Sequence, residues 1–467
     1  MRLLSAVCLL LATSLASAQQ RYLVDWQTVG EETLNHLSEL IQINTTNPPG
    51  NETLVANYLE AILESENIDT EMFALDPERA NLVARIKGNG TKDPILIMGH
   101  TDVVGVQAER WTEKPFSGLR KDGWLYGRGS LDDKDTVAAG LMVMLMLKRH
   151  GVELDRDVIF LAEAGEEGTP DVGINFMVDK HWDKIAAEYC LAEGGGGILE
   201  DQGVKVVEVQ TTEKMPRRVT LVARGTAGHG SRPSIDNPVA AVARAVARAD
   251  AWQTEMRLNE TTKAYFERLA TISSPEDAFR YRNIENPEET AAIQQHFLEN
   301  NPTYYSTLRT SVVPTIINGG FRKNVIPSEA TAVLDIRMLP DEDVDAFYAE
   351  LARIIDDPNI EIVPEDIYRP AAPPSGIDNE MFEALERVAA EMYPEATVLP
   401  KMSTGATDMS QVRAMGVPAY GIGPIRSAAE RNSGNGAHSD NERISEEAMI
   451  DFLQFMWTVV IDVAATR

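Results

Sequence analysis

Apolar runs of strand length alternate with helical segments through the first part of the chain, and that alternation leaves little choice of architecture. The segment EETLNHLSELIQI (31–43) places Leu34, Leu37, Leu40 and Ile41 on one helical face. ETLVANYLEAILES (52–65) reads as a second amphipathic helix, and NTTNPPGNE between the two carries the prolines and glycine that end a helix. The runs NLVARI (81–86) and PILIMGH (94–100) follow, then a long helix, DTVAAGLMVMLMLKRHG (135–151), then DVIFLAEA (157–164). This order predicts an α/β fold with a mostly parallel sheet and helices on both faces. Ligands of such sheets bind beyond the carboxyl ends of the strands. The residues just after each apolar run are therefore where chemistry is to be sought.

The pattern changes near residue 215. RRVTLVARGTAGHGS (217–231) alternates like an exposed antiparallel strand, NPVAAVARAVARADAW (237–252) is an alanine-rich helix, and a polar helical stretch continues to about residue 305. TSVVPTIING and SEATAVLDIRML read as strands, DEDVDAFYAELARII as a helix and IEIVPEDI as a last strand. Two helices on four strands predict an inserted α+β, ferredoxin-like domain over 215–371, with a helical expansion at about 253–308. Segments 19–214 and 372–467 then form the other domain.

Carboxylates and histidines collect at the strand ends. PILIMGH closes on His100, with Asp102 two residues on, and extended backbone puts both side chains on one side. Asp132 and Asp133 open the long helix, where either aspartate serves equally well as a simple cap. Glu166 and Glu167 follow DVIFLAEA, and Glu193 follows the apolar stub YCLA. His438 lies in a glycine-rich loop near the C-terminus. Of the seven histidines, His36, His150, His181 and His296 lie in or beside polar helical stretches, whereas His100, His229 and His438 occupy a strand end or glycine-flanked loops. Histidine with several carboxylates suits a divalent ion such as zinc. Side chains of adjacent residues diverge, so one of Glu166 and Glu167 can hold metal while the other reaches a water.

Bulk properties bound the rest. The 467 residues carry 43 Lys and Arg against 72 Asp and Glu, a formal charge of −29 that repels phosphate and excludes a nucleic-acid binder. MRLLSAVCLLLATSLASAQQ combines one Arg, an apolar stretch and Ala16-Ser17-Ala18, the pattern of a signal peptide covering 1–18. Its apolar stretch is shorter than the roughly 20 residues a spanning helix needs, so the mature chain is expected to have no membrane span and to be periplasmic or secreted. Only Cys190 would remain after cleavage, which leaves no internal disulfide.

In this order, GHTDVV (99–104), GRGSLDDK (127–134), AGEEG (164–168), AEGG (192–195) and AHSDNE (437–442) resemble the zinc metallopeptidase family of aminoacylase, carboxypeptidase G and S, acetylornithine deacetylase and succinyl-diaminopimelate desuccinylase. GTAGHGSRP, NGGFRKNVIP and DIRMLP resemble that family's lid domain, and the likeness runs over nearly the whole mature chain. The resemblance implies two divalent metal ions, Zn2+ first with Co2+ or Mn2+ as alternatives. His100 would bind one ion and His438 the other, with Asp132 bridging and Glu167 and Glu193 completing the set. Glu166 would be the general base that takes the proton of the attacking water, and Asp102 would orient His100. In the lid, His229 resembles the oxyanion-stabilising histidine and Arg337 the arginine that grips a substrate carboxylate. Asn324 matches the lid asparagine and Gly405 the loop that shapes the pocket. Arg337 as a lid salt bridge and Asn324 as a turn residue are the plain alternatives.

The chain also departs from the family pattern. Asp135 stands where members carry Gly, and the 253–308 expansion is characteristic of carboxypeptidase S-like and N-acyl-amino-acid hydrolase-like relatives. In dimeric members the lid histidine reaches the partner subunit's site, and in some relatives extra lid mass substitutes for the partner. Homodimer and monomer both remain open. The expected function is a hydrolase for an amide bond next to a free carboxylate, acting on short peptides or N-acyl amino acids as a carboxypeptidase, dipeptidase or aminoacylase. The competing reading is a catalytically inactive, metal-stabilised peptide-binding protein. A serine hydrolase ranks below both, because GHGSR (228–232) has the wrong order for a nucleophile elbow.

Overall fold

The computed structural model describes residues 22–200, 202–366 and 369–466. The signal-peptide reading of residues 1–18 lies outside them. The chain divides into two compact units. The first takes the chain up to Val209, then Gly376–Val398, then everything from Val417 onward. The second is Gln210–Ser375 together with Leu399–Gly416.

The first unit is built on a sheet whose centre is parallel. Val158–Glu163, Ile95–His100, Tyr189–Ala192 and Ala419–Gly421 run side by side in that order, each parallel to its neighbour. Antiparallel strands flank them: Asp69–Ala74 and Ala80–Ile86 on one side, Gly196–Glu200 paired with Gly203–Glu213 on the other. All four central strands are buried at every residue, so both of their faces are covered. The helix Lys134–Arg149 packs on Ile95–His100 and is buried from Lys134 to Leu147, because Trp26–Gln42 and Glu446–Ala464 lie outside it. A helix covered all round needs no polar face, which explains the continuous apolar run GLMVMLML.

Close approach at that layer depends on Gly140. A Cβ there would stand 2.6 Å from a ring carbon of Phe160 and 3.2 Å from Ile97 Cγ2, both in fully buried side chains. Gly140→Ala gains about 1 kcal/mol in helix propensity, but overpacking a closed core costs about 1–3 kcal/mol. Thermal unfolding of Gly140→Ala is expected at a lower temperature than wild type; an unchanged or raised melting temperature would show that the layer yields freely.

The second unit has a four-stranded antiparallel sheet in the order Ser311–Gly319, Glu329–Met338, Met215–Arg224, Ile360–Pro364, with helices Pro238–Ala251 and Val344–Ile355. In chain order this is βαββαβ, with the spatial arrangement of a ferredoxin-like fold. Met215–Arg224 is an inner strand with Val219, Leu221 and Ala223 buried, rather than the exposed strand its alternation predicts. The expansion forms four helices, Glu260–Leu269, Pro275–Arg282, Thr290–Asn300 and Pro302–Thr307, around a small core of Phe266, Ile284, Ile293, Phe297 and Leu308. Residues 399–416, expected from sequence to belong with 372–467 in the other domain, group with this unit instead. The Lys214 N–H donates to Ser403 O at 2.9 Å, and polar side chains fasten the rest: buried Glu213 accepts the Thr407 N–H at 2.9 Å and the Thr407 hydroxyl at 2.7 Å and pairs with Arg413 at 3.1 Å, while Arg369 pairs with Asp408 at 2.7 Å.

Candidate metal centre

Three parallel strands end side by side in the first unit, and their carboxyl ends carry the titratable residues. His100 stands opposite Glu163 in the ladder, and Tyr189–Ala192 pairs with Ile95–Ile97 on the other side. The turns that follow therefore deliver His100, Glu166-Glu167 and Glu193 to one edge of the sheet.

Buried Asp102 organises them. Its two carboxylate oxygens accept the backbone N–H groups of Glu166 and Glu167, each at 3.1 Å, and one of them also accepts from Asn47 Nδ2 at 2.8 Å. The loop before residue 47 is stitched to the same segment, with Val103 N–H donating to Thr45 O and Asn47 N–H to Val103 O. Asn47 also donates to Thr169 Oγ1, which accepts from Arg79, and Arg79 pairs with fully buried Glu52. Thus a third acid grips the main chain of the side-by-side acids. Against His100 Nδ1, the Asp102 carbonyl at 3.0 Å is nearer than its carboxylate at 3.5 Å. The carbonyl accepts from Nδ1–H and leaves Nε2 facing the site.

Asp132 joins the two histidines. Its Oδ1 lies 3.0 Å from His100 Nε2, and its Oδ2 lies 3.0 Å from His438 Nε2. Glu167 Oε1 is 2.7 Å from the same His438 nitrogen, and Glu193 Oε1 is 4.0 Å from His100 Nε2. Three sets of donor atoms converge within 4.8 Å: Asp132, Glu167 and His438; His100, Asp133 and Glu193; and His100, Glu166 and Glu167. All seven residues expected at this centre are brought together. Sequence gives Asp133 no role beyond a cap, yet it joins the His100 set, and its Oδ2 accepts the His100 N–H at 3.2 Å.

The electrostatics are those of a cation site. Burial works against a charged His100, but hydrogen bonds to Asp102 and Asp132 carry it well above the ordinary range. Bonds to Asp132 and then Glu167 hold half-exposed His438 up to about 10. Burial likewise opposes ionisation of Asp132, yet the two histidines keep its carboxyl far below the usual range, while burial pushes Asp133 up to about 7. Burial also raises Glu193 strongly, with Asp133 and Asp132 adding to the push. Excess carboxylate around shared nitrogen donors fits divalent cations held by N and O ligands.

In the second unit, His229 and Asn324 come together on a small ribbon. His229 pairs with Val325, and Gly230 N–H donates to Asn324 O at 2.8 Å. His229 is exposed, with Nδ1 2.8 Å from the Ser231 hydroxyl. Arg337 lies on an inner strand and holds Asp335 through Nε at 3.0 Å and Nη2 at 3.3 Å, so the salt bridge left open from the sequence is present. Gly405 is exposed, its N–H bonded to Ser403 Oγ at 3.1 Å.

Residues 96–461 match the model of Peptidase family M20/M25/M40. The chain belongs to that family. It is accordingly a hydrolase, a metallo-exopeptidase or amidohydrolase of the M20 type. An N-fatty-acyl-amino acid synthase/hydrolase of Xenopus tropicalis is 28% identical over 369 residues, covering 78% of this M20 chain and 71% of the relative. A probable carboxypeptidase S-like protein of Dictyostelium discoideum is 29% identical over 323 residues, 68% of this chain but only 61% of that protein's length. In fold, the M20 chain is similar to an M20 family metallo-carboxypeptidase of Sulfolobus solfataricus, with a TM-score of 0.69 at 21% identity, covering 92% of this chain and 98% of the other. Among the described residues, no helix is long and apolar enough to cross a membrane.

Proposed function

We propose that this M20 hydrolase cleaves an amide bond adjacent to a free carboxylate in short peptides or N-acyl amino acids, using two divalent ions, Zn2+ before Co2+ or Mn2+. The observation that carries the reading is the Asp132 carboxylate, which gives one oxygen to His100 and the other to His438. His100, Asp132 and Glu193 would hold one ion, and Asp132, Glu167 and His438 the other. Bound ions would supply Lewis-acid polarisation of the scissile carbonyl and acidify the attacking water. Glu166 takes the proton from that water as its oxygen bonds to the carbonyl carbon, then returns it to the nitrogen as the C–N bond breaks. Asp102 holds the turn that aims Glu166, through the N–H of Glu166 and of Glu167. In the second unit, Arg337 is the proposed grip on the substrate carboxylate, His229 the oxyanion donor, and Asn324 and Gly405 further substrate-binding positions. The N-terminal pattern Ala16-Ser17-Ala18 supports export to the periplasm or medium.

The test is amino-acid release from a panel of dipeptides and N-acyl amino acids, first with zinc and then with a chelator. Release from a carboxylate-bearing subset, abolished by chelation and restored by metal, is expected. No release from any member of the panel would move the peptide-binding reading to the front.

A further inference from the structure

The motif AHSDNE supplies more than His438. Its last residue, Glu442, is fully buried four positions later. Glu442 Oε1 accepts the N–H groups of Gly129 at 3.2 Å and Leu131 at 2.9 Å, Oε2 pairs with the Arg128 guanidinium, and the Glu442 carbonyl accepts the Gly127 N–H at 3.0 Å. The segment leading into Asp132 is therefore wrapped round one glutamate from the far end of the chain. Arg128 is itself buried and stacked over the Trp111 ring, 5.4 Å from its centroid.

On the other side of this clamp, His438 meets Asp132 and Glu167 but is not enclosed. Its side chain is half exposed, and it and Asn441 both take φ of 61°, a left-handed conformation uncommon for residues other than glycine. Beyond Glu442 the chain is fastened by Arg443 pairing with Tyr126. Asn441 Oδ1 accepts the Thr112 N–H at 2.6 Å. Burial of His438 cannot set its distance from Asp132, but a carboxylate that engages the Asp132 segment along its length can.

We propose that Glu442, paired with Arg128, is a positioning residue that sets the spacing of His438 from Asp132 and so the affinity of the ion these two share. This inference rests on the two-ion reading above. Groups that orient metal ligands commonly change affinity by about 10–100-fold when altered. In Glu442→Gln, a carbonyl can still accept the Gly129 and Leu131 N–H groups, but the amide turns its own donors toward Arg128.

The experiment is Zn2+ titration of the metal-stripped full chain against a competing chromophoric chelator, for wild type, Glu442→Gln, Arg128→Lys, His438→Ala and Gly140→Ala, with circular dichroism as a check of folding. Two equivalents are expected in wild type. One of them should weaken about 10–100-fold in Glu442→Gln, in the same direction in Arg128→Lys, and be the equivalent lost in His438→Ala. Gly140→Ala, altered in the helix–sheet layer, should keep both affinities, which separates the clamp from general loss of stability. Wild-type affinities in folded Glu442→Gln, or in folded Arg128→Lys where the glutamine variant does not fold, overturn the proposal. So does equal weakening in Gly140→Ala. Fewer than two equivalents in wild type would instead sink the two-ion reading, whatever the variants do.

Discussion

Glu166→Gln is expected to lower turnover by about a hundredfold to ten-thousandfold, the usual contribution of a positioned general acid–base group. The substitution keeps the size of the side chain and removes its ability to accept and return a proton. The main chain of residue 166 stays anchored, because Asp102 accepts its N–H at 3.1 Å whatever side chain follows. The proposed ligands Asp132, Glu167 and His438 are untouched, so metal content should be close to wild type. The loss should fall on kcat with KM little changed, since substrate binding does not need the proton transfer. Wild-type turnover by a folded, metal-loaded glutamine variant would remove Glu166 from the mechanism and leave the adjacent acids unexplained.

Asp132→Ala should fail differently. Asp132 faces both histidines, so its removal takes a ligand from each proposed ion at once. Dialysed protein should contain little metal, and activity should fall on the order of a thousandfold, matching several kcal/mol of lost Lewis-acid stabilisation. A second readout needs no activity. In metal-stripped protein, His438 is held up to about 10, chiefly by its bond to Asp132 and next by Glu167. Without Asp132 its protonation midpoint should move down, as an imidazole titration by NMR would record. A variant that retained two ions, or a His438 midpoint that did not move, would contradict the bridging geometry.

Much of this centre is legible in the order of residues, for a definite reason. A parallel sheet presents its strand ends at one edge, so an apolar run followed by an acid or histidine identifies a site residue without knowledge of its neighbours. His100, Glu166, Glu167 and Glu193 all obey that rule, each lying within a few residues of a fully buried strand. Residues that act on the main chain of others leave no such mark. Asn47 sits in a segment that reads only as a helix breaker, yet it reaches Asp102 across 55 residues. Glu442 reads only as the last residue of the AHSDNE motif, with no role of its own, although its partner Arg128 is 314 residues away. Asp133 reads as a helix cap, and only the fold turns it toward the His100 set.

The extent of the second unit follows the same division. Its periodic elements are evident because each strand and helix shows its own apolar repeat, and the ferredoxin-like order follows from their succession. The place of residues 399–416 is not, because that segment is held by partners distant in sequence: Lys214 N–H on Ser403 O, Glu213 with Thr407 and Arg413, and Arg369 with Asp408. Periodicity and local chemistry are properties of neighbours along the chain, so the alternating elements, the strand-end ligands and the family follow from the order of residues alone. Partnership between distant polar groups is a property of space. Only the tertiary structure could show which Asp132 oxygen faces which histidine, that Asp102 grips the main chain of the adjacent acids, and that Glu442 ties the two ends of the centre together.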